Sequence, residues 1–202
     1  MTMLDRAIVT ATRAHSGGLR KGGGTPCILH SLEAAAICAT MTDDLEVLAA
    51  AVLHDTVEDT DYTADQLERD FGPRVAALVA ADTEEKRPQC DPAETWRLRK
   101  QETICRLQAE QRIEVKMLVL SDKLSNLRAM YQAFLTQGNA FWACFHQKDP
   151  LEHCWYYREV GAALAPLAGL PAWQEYWRLF HELWPTQPIP KPDGKGGWSG
   201  VL

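Results

Sequence analysis

Apolar residues recur along this chain at three- and four-residue steps, with no sustained alternation of the two-residue kind. That pattern favours helices, each with one face turned to a core, and makes a sheet unlikely. Leu4, Ile8, Ala11 and Ala14 form one such stripe. Further helical stretches are expected over about 31–40 and about 44–56. Thr63 and Gln66 have the spacing of a capping box, opening a short helix that stops at Gly72. Pro73 then suits the first turn of "PRVAALVAA". Residues 82–91, "DTEEKRPQCD", read as a loop, and Asp91–Pro92 starts the next helix. A long helix is expected over about 110–135, and two more over about 151–167 and 171–184. No internal repeat is visible. The expected class is all-α, with one domain over 1–185 and a proline- and glycine-rich tail over 186–202.

A chain of 202 residues, 46% hydrophobic and 24% charged, can bury a full core. No apolar run approaches the length that spans a bilayer, and the N-terminus lacks a signal-peptide pattern. The cysteines at 27, 38, 90, 105, 144 and 154 include no C-x-x-C pair and read as reduced thiols, which points to the cytoplasm. A net charge of −6 argues against a general grip on nucleic acid, while leaving room for a basic pocket that takes a small phosphorylated ligand. Composition leaves a homo-oligomer open.

The chemistry concentrates at "HDTVED", residues 54–59, directly behind the apolar "VLAAAVL". Buried charges need a partner, a metal or a shifted pKa. On a helix His54 stacks with Glu58 and Asp55 with Asp59, each four apart. Two outside residues can complete a set: His30, opening the second helix, and Asp122, in the apolar surroundings of "VLSDKLSNL". Two imidazoles and two carboxylates with positions left open match a catalytic metal, and this donor mix suits manganese, iron or zinc better than calcium. Each residue alone has a plainer reading, His as a hydrogen-bonded core residue and Asp as a cap. The order H, then HD-x-x-ED, then D is what shifts the balance.

These residues resemble the HD-domain metallohydrolases, and within them the hydrolase half of the RelA/SpoT-homologue family, including free-standing small alarmone hydrolases. "AHSGGLRKGGGTPCILHSLEAAAI" is similar to that family's His-Gly-Gln-x-Arg-Lys loop and Pro-Tyr-x-x-His-Pro motif. "AAAVLHDTVEDT" is nearly its central motif, "FGPRVAALV" looks like the stretch that follows, and "LVLSDKLSNLRAM" resembles its Ala-Asp-Lys-Leu-x-Asn motif. The resemblance implies an HD-type bundle that removes the 3′-pyrophosphate from guanosine tetra- or pentaphosphate with one Mn2+. It implies His30, His54, Asp55 and Asp122 as metal ligands and Glu58 with Asp59 as the pair that positions and deprotonates water. Arg20 and Lys21, in a glycine-rich loop, are the phosphate-binding candidates. Asn126, one turn beyond Asp122, and Tyr157 match further substrate contacts, although Tyr157 reads equally as core. Lys123 and Arg128 read as surface charges, and "WRLRKQE", residues 96–102, as an exposed face ahead of a source of cations for the phosphate end.

The departures lie where base and ribose are expected. Cys27 stands for the motif's Tyr, Ser31 for its second Pro and Gly18 for its Gln, and "ADTEEK" replaces a Val-Thr pair before the acid–Lys segment. Adenosine alarmones ((p)ppApp) and the 2′-phosphate of NADPH therefore stay open as substrates. A general HD nucleotide phosphohydrolase would have no use for Arg20–Lys21 or the Glu–Asp pair. A non-catalytic nucleotide sensor built on a structural metal would favour a closed, often thiolate-rich set, which these cysteines do not supply. No synthetase half follows the hydrolase motifs, so a dedicated hydrolase is expected.

Overall fold

A computed structural model describes residues 1–21, 24–87 and 89–186. It is helical, and among the described residues strand pairing is confined to an isolated bridge between Leu19 and Pro26. The helices are α1 Met3–Ala14, α2 Cys27–Cys38, α3 Leu45–Leu53, α4 Thr56–Asp59, α5 Ala64–Phe71, α6 Pro73–Asp82, α7 Pro92–Ala109, α8 Ile113–Gln137, α9 Pro150–Ala163 and α10 Pro171–Leu183. Short 3₁₀ turns cover Gly138–Cys144 and Ala165–Leu167. The tail expected over 186–202 lies, from 187 onward, outside the described residues.

The punctuation read from sequence has a physical counterpart at most boundaries. Thr63 and Gln66 exchange the two capping-box hydrogen bonds. Gly72 has φ +89°, a conformation that L side chains rarely adopt, and Pro73 follows at the first turn of α6. Asp91 caps α7 by accepting the Ala93 N–H at 2.7 Å.

Helices α3 and α8 form the centre. Every residue from Val47 to Leu53 is buried, and α3 packs against α1, α2, α6 and α8. A helix apolar on all sides is stable only inside a bundle. Leu53, Leu118, Leu120, Leu124 and Leu127 are fully enclosed, and truncating such a leucine to alanine costs roughly 2–5 kcal/mol. Helices α9 and α10 approach closely at Gly161, where a Cβ would meet Trp177 and Tyr176 at 2.7 Å.

Several expected boundaries change: Asp82, expected in the loop, ends α6, and the helix expected over about 151–167 ends at Ala163 before a separate 3₁₀ turn. Helix α2 begins at Cys27, so His30 sits inside its first turn and does not open the helix. The helix expected to run to Thr56 stops at Leu53, and a turn at His54–Asp55 leads into α4. The Thr56 hydroxyl donates to the Leu53 carbonyl at 2.6 Å, a side-chain competitor for a backbone acceptor. This break ends the apolar helix where its polar residues face the cavity.

Candidate metal centre and substrate cavity

His54 leaves the end of α3, His30 the first turn of α2, and Asp122 the middle of α8, so three helices deliver their polar atoms to one point. Both imidazoles are nearly sealed from solvent, with side chains 3% and 2% exposed. Their Nε2 atoms lie 3.1 Å apart. Asp122 Oδ1 is 3.1 Å from His30 Nε2 and 3.7 Å from His54 Nε2. Asp55 adds Oδ2 at 3.5 Å from His30 and Oδ1 at 3.3 Å from His54.

The outer hydrogen bonds decide what these nitrogens can be. His54 Nδ1–H donates to the Ala51 carbonyl at 2.9 Å, which leaves Nε2 as a lone pair in the neutral ring. His30 Nδ1 meets the Ser125 hydroxyl oxygen at 2.8 Å, and that hydroxyl donates to Glu33 at 2.7 Å. The Ser125 oxygen therefore accepts, and His30 Nε2 is a lone pair as well. Two lone pairs and two carboxylates crowded together repel one another unless a positive charge joins them. A proton can supply it: burial lowers the His54 pKa, but Asp55 and Asp122 outweigh burial and hold it well above the ordinary value. A divalent cation supplies it better. His30, His54 and Asp122 offer ligand atoms within 4.8 Å of one another, a donor set that fits such an ion.

This cluster lines a cavity of about 700 Å³, within the range of small-molecule sites. All ten residues singled out from sequence line it: Arg20, Lys21, His30, His54, Asp55, Glu58, Asp59, Asp122, Asn126 and Tyr157. Glu58 Oε2 accepts the Glu84 N–H at 3.0 Å, and its Oε1 lies 3.7 Å from Lys86 Nζ. Burial is the largest influence on Glu58, followed by the opposing Glu84 hydrogen bond and the reinforcing Asp55 charge; its carboxyl is pushed up to about 6. Asp59 is half-exposed and paired with Lys86. Arg20 donates to Asn126 Oδ1 at 2.5 Å, and Asn126 donates to Asp122 at 2.5 Å, so the basic loop is tied to the His/Asp cluster. Tyr157 is buried, stacked on Trp184 at 6.0 Å between centroids; it belongs to the core and to the cavity wall together.

Two lysines read as surface charges face inward instead. Lys123 contacts Asp122 with its side chain 15% exposed; burial opposes its charge, but Asp122 holds its pKa well above the ordinary value. Lys100, from the stretch read as an exposed face, reaches the cavity and pairs with Glu84 at 2.7 Å, and burial pulls its pKa down. A signal for Lys100 was present. It lies four residues from both Trp96 and Ile104, on the buried stripe of α7. Lys123 stands inside the quoted Asp-Lys-Leu-x-Asn motif. Arg128 is half-exposed, as expected, and pairs with Glu33 and Glu175.

Comparison with known proteins adds an independent line. The HD domain family matches residues 7–145. A probable GTP pyrophosphokinase of Mycobacterium leprae is 36% identical over 132 residues, 64% of this chain and 16% of that protein. The guanosine-3′,5′-bis(diphosphate) 3′-pyrophosphohydrolase of Vibrio cholerae is 46% identical over 76 residues, 38% of this chain and 11% of that protein. The chain thus spans less than a fifth of the length of either relative. Among solved structures, a metazoan ortholog of SpoT described as hydrolysing ppGpp has a TM-score of 0.72 over 90% of this chain and 96% of its own, at 24% identity, a level that speaks for the fold alone. A Listeria monocytogenes EGD-e protein has a TM-score of 0.66 at 31% identity, over 78% of this chain and 94% of its own. The chain belongs to the HD domain family, and the relatives it resembles there are of the RelA/SpoT type.

Proposed function

We propose that this chain is a pyrophosphohydrolase that removes the 3′-pyrophosphate from guanosine tetra- or pentaphosphate and uses one Mn2+. The observation that carries the reading is the meeting of two imidazole Nε2 atoms, 3.1 Å apart, with Asp55 and Asp122, beside a carboxyl raised to about 6. The relative from Vibrio cholerae, named for this reaction, supports the substrate. His30, His54, Asp55 and Asp122 would hold the ion, and this mixed nitrogen and oxygen donor set suits manganese. A bound divalent ion supplies the charge that acidifies water and offsets phosphate.

The chain's own residues do the rest. Glu58 accepts the proton of the attacking water at Oε1, since Oε2 is already engaged by the Glu84 N–H. A base with a pKa near 6 is ionised at neutral pH yet still basic enough to take a proton. Asp59, held by Lys86, fixes the end of α4 beside that water. Arg20 and Lys21 bind phosphate oxygens, with Asn126 orienting the Arg20 guanidinium. Tyr157 presents an aromatic face where the nucleoside lies.

The test is product analysis with the full chain, guanosine tetraphosphate and Mn2+. GDP and pyrophosphate in equal amounts are expected, with turnover lost on chelation and restored by Mn2+. Release of orthophosphate alone would point to a general phosphohydrolase, and metal-bound protein with no turnover to a sensor; either result overturns the proposal.

A further inference from the structure

Behind the metal cluster, on the Nδ1 side of His30, a chain of hydrogen bonds joins α2 to α8 and leads outward to half-exposed charges. His30 Nδ1 meets Ser125 Oγ at 2.8 Å, Ser125 donates to Glu33 Oε2 at 2.7 Å, and Glu33 Oε1 accepts from Arg128 Nη1 at 3.1 Å. Arg128 is anchored in turn by both oxygens of Glu175, at 2.9 and 2.7 Å. Ser121, one turn earlier on α8, sends its hydroxyl back to the Met117 carbonyl at 2.7 Å, the usual habit of a helical serine. Ser125 sends its hydroxyl across to another helix.

The direction of this relay matters. A serine hydroxyl has one proton. While Glu33 takes it, Ser125 can only accept from His30, which places the imidazole proton on Nδ1 and the lone pair on Nε2. Without Glu33 the hydroxyl is free to turn and donate to Nδ1, and the imidazole proton then moves to Nε2. That proton would point at His54 Nε2, 3.1 Å away, and occupy the place of a cation. His54 has no comparable weak point, because its Nδ1 is held by the Ala51 backbone carbonyl at 2.9 Å.

We infer that Glu33, acting through Ser125, is a positioning residue that sets the His30 tautomer and with it the affinity of the cluster for a divalent ion. Neither residue touches the reacting groups. The position of Ser125 is the variable x of the Asp-Lys-Leu-x-Asn motif, so this holder belongs to the chain at hand. The inference rests on the metal reading above, and its test separates the two.

Glu33 is 38% exposed at its side chain, so replacing it leaves the core intact. In the full chain, Mn2+ affinity is measured by electron paramagnetic resonance of the free ion, and the His30 tautomer by nitrogen-15 correlation spectra of metal-free protein. Glu33→Ala is expected to weaken Mn2+ binding by about tenfold to a hundredfold, the usual range for an outer-shell partner, and to move the proton to Nε2. Glu33→Gln should lose less, because its amide oxygen still accepts the Ser125 proton. Arg128→Ala removes the ion pairs and keeps the relay, so the tautomer should stay on Nδ1–H. Unchanged affinity and an unchanged tautomer in Glu33→Ala would overturn the inference. An equal shift in Arg128→Ala would also overturn it, by assigning the effect to the ion pairs. If the wild type binds no Mn2+ the metal reading fails, while the tautomer still decides whether the relay exists.

Discussion

On one wall of the cavity, His30, His54, Asp55 and Asp122 bring lone pairs and carboxylates together with few internal cations to answer them. On the other, charges are largely answered within the chain: Glu84 takes both Arg99 and Lys100. Lys123, against Asp122, is the seam between the walls. A wall that is short of positive charge recruits it from outside, whereas a self-paired wall supplies shape and a fixed field. Losing a residue should therefore cost very different amounts on the two sides.

The largest effect is expected at His54. His54→Ala removes one lone pair and part of the enclosure, so bound metal and turnover should both fall to background, read by metal analysis and product assay on the same sample. Glu58→Gln comes next. Removing a general base costs about a hundredfold to ten-thousandfold in kcat while metal occupancy persists. The same substitution should stabilise the metal-free fold. Glu58 titrates near 6 against an ordinary 4.5, so the folded chain holds this proton more tightly than the unfolded chain. Stability is then lost as pH rises from about 4.5 to 6, and at neutral pH the ionised carboxylate costs about 2 kcal/mol. Urea unfolding should show Glu58→Gln gaining up to that amount at pH 7 and nothing below pH 4. A variant that keeps kcat, or gains nothing at pH 7, breaks the assignment. In the wild type, kcat/KM should fall as pH drops through Glu58's titration, at or below about 6 once a cation is bound nearby.

Arg20→Ala and Lys100→Met set the walls against each other directly, since Arg20 is joined through Asn126 to Asp122 on the first wall and Lys100 belongs to the second. Arg20 is tied to Asn126 but free to meet phosphate, and losing a charge-assisted contact costs roughly 1.5–3 kcal/mol, about tenfold to a hundredfold in kcat/KM. Lys100 is engaged by Glu84, which keeps Arg99 as a partner when Lys100 is lost, so Lys100→Met should change kcat/KM by less than about tenfold. The reverse order would show that the second wall binds the phosphates. The smallest effect is one of ratio. Cys27 lines the cavity with its thiol close to Gly18. Cys27→Tyr places an aromatic ring on that wall and should alter guanosine against adenosine preference in kcat/KM, whereas Arg20→Ala should lower both alike.

How readable each wall was from sequence follows the same division. The first rests on short-range signals: "HDTVED" is contiguous, Asn126 is one turn from Asp122, and the apolar runs around them announce burial. The second depends on contacts between distant segments, since Lys100 meets Glu84 only because α7 lies across the loop after α6. Asp82 falls in the expected loop, yet it ends α6 as a half-buried carboxylate whose Oδ1 has no hydrogen-bond partner. The break at His54–Asp55 leaves no periodic signal, because it turns on one hydroxyl, Thr56, competing for a carbonyl. The 3₁₀ turn at Gly138–Cys144 leaves none either, because its buried residues, Phe141 and Trp142, are adjacent and carry no period. Trp142 is covered by His153 of α9 and by Trp184, just past the end of α10, at 5.2 and 5.7 Å.

The central claim is that the polar cluster at the meeting of α2, α3 and α8 is a metal centre. Anomalous diffraction at the manganese edge, from crystals of the full chain grown with Mn2+, tests it most directly. The account predicts one strong peak enclosed by His30, His54, Asp55 and Asp122, absent in His54→Ala. An active enzyme with no peak there, or with its peak between Asp82 and Glu84, would contradict it.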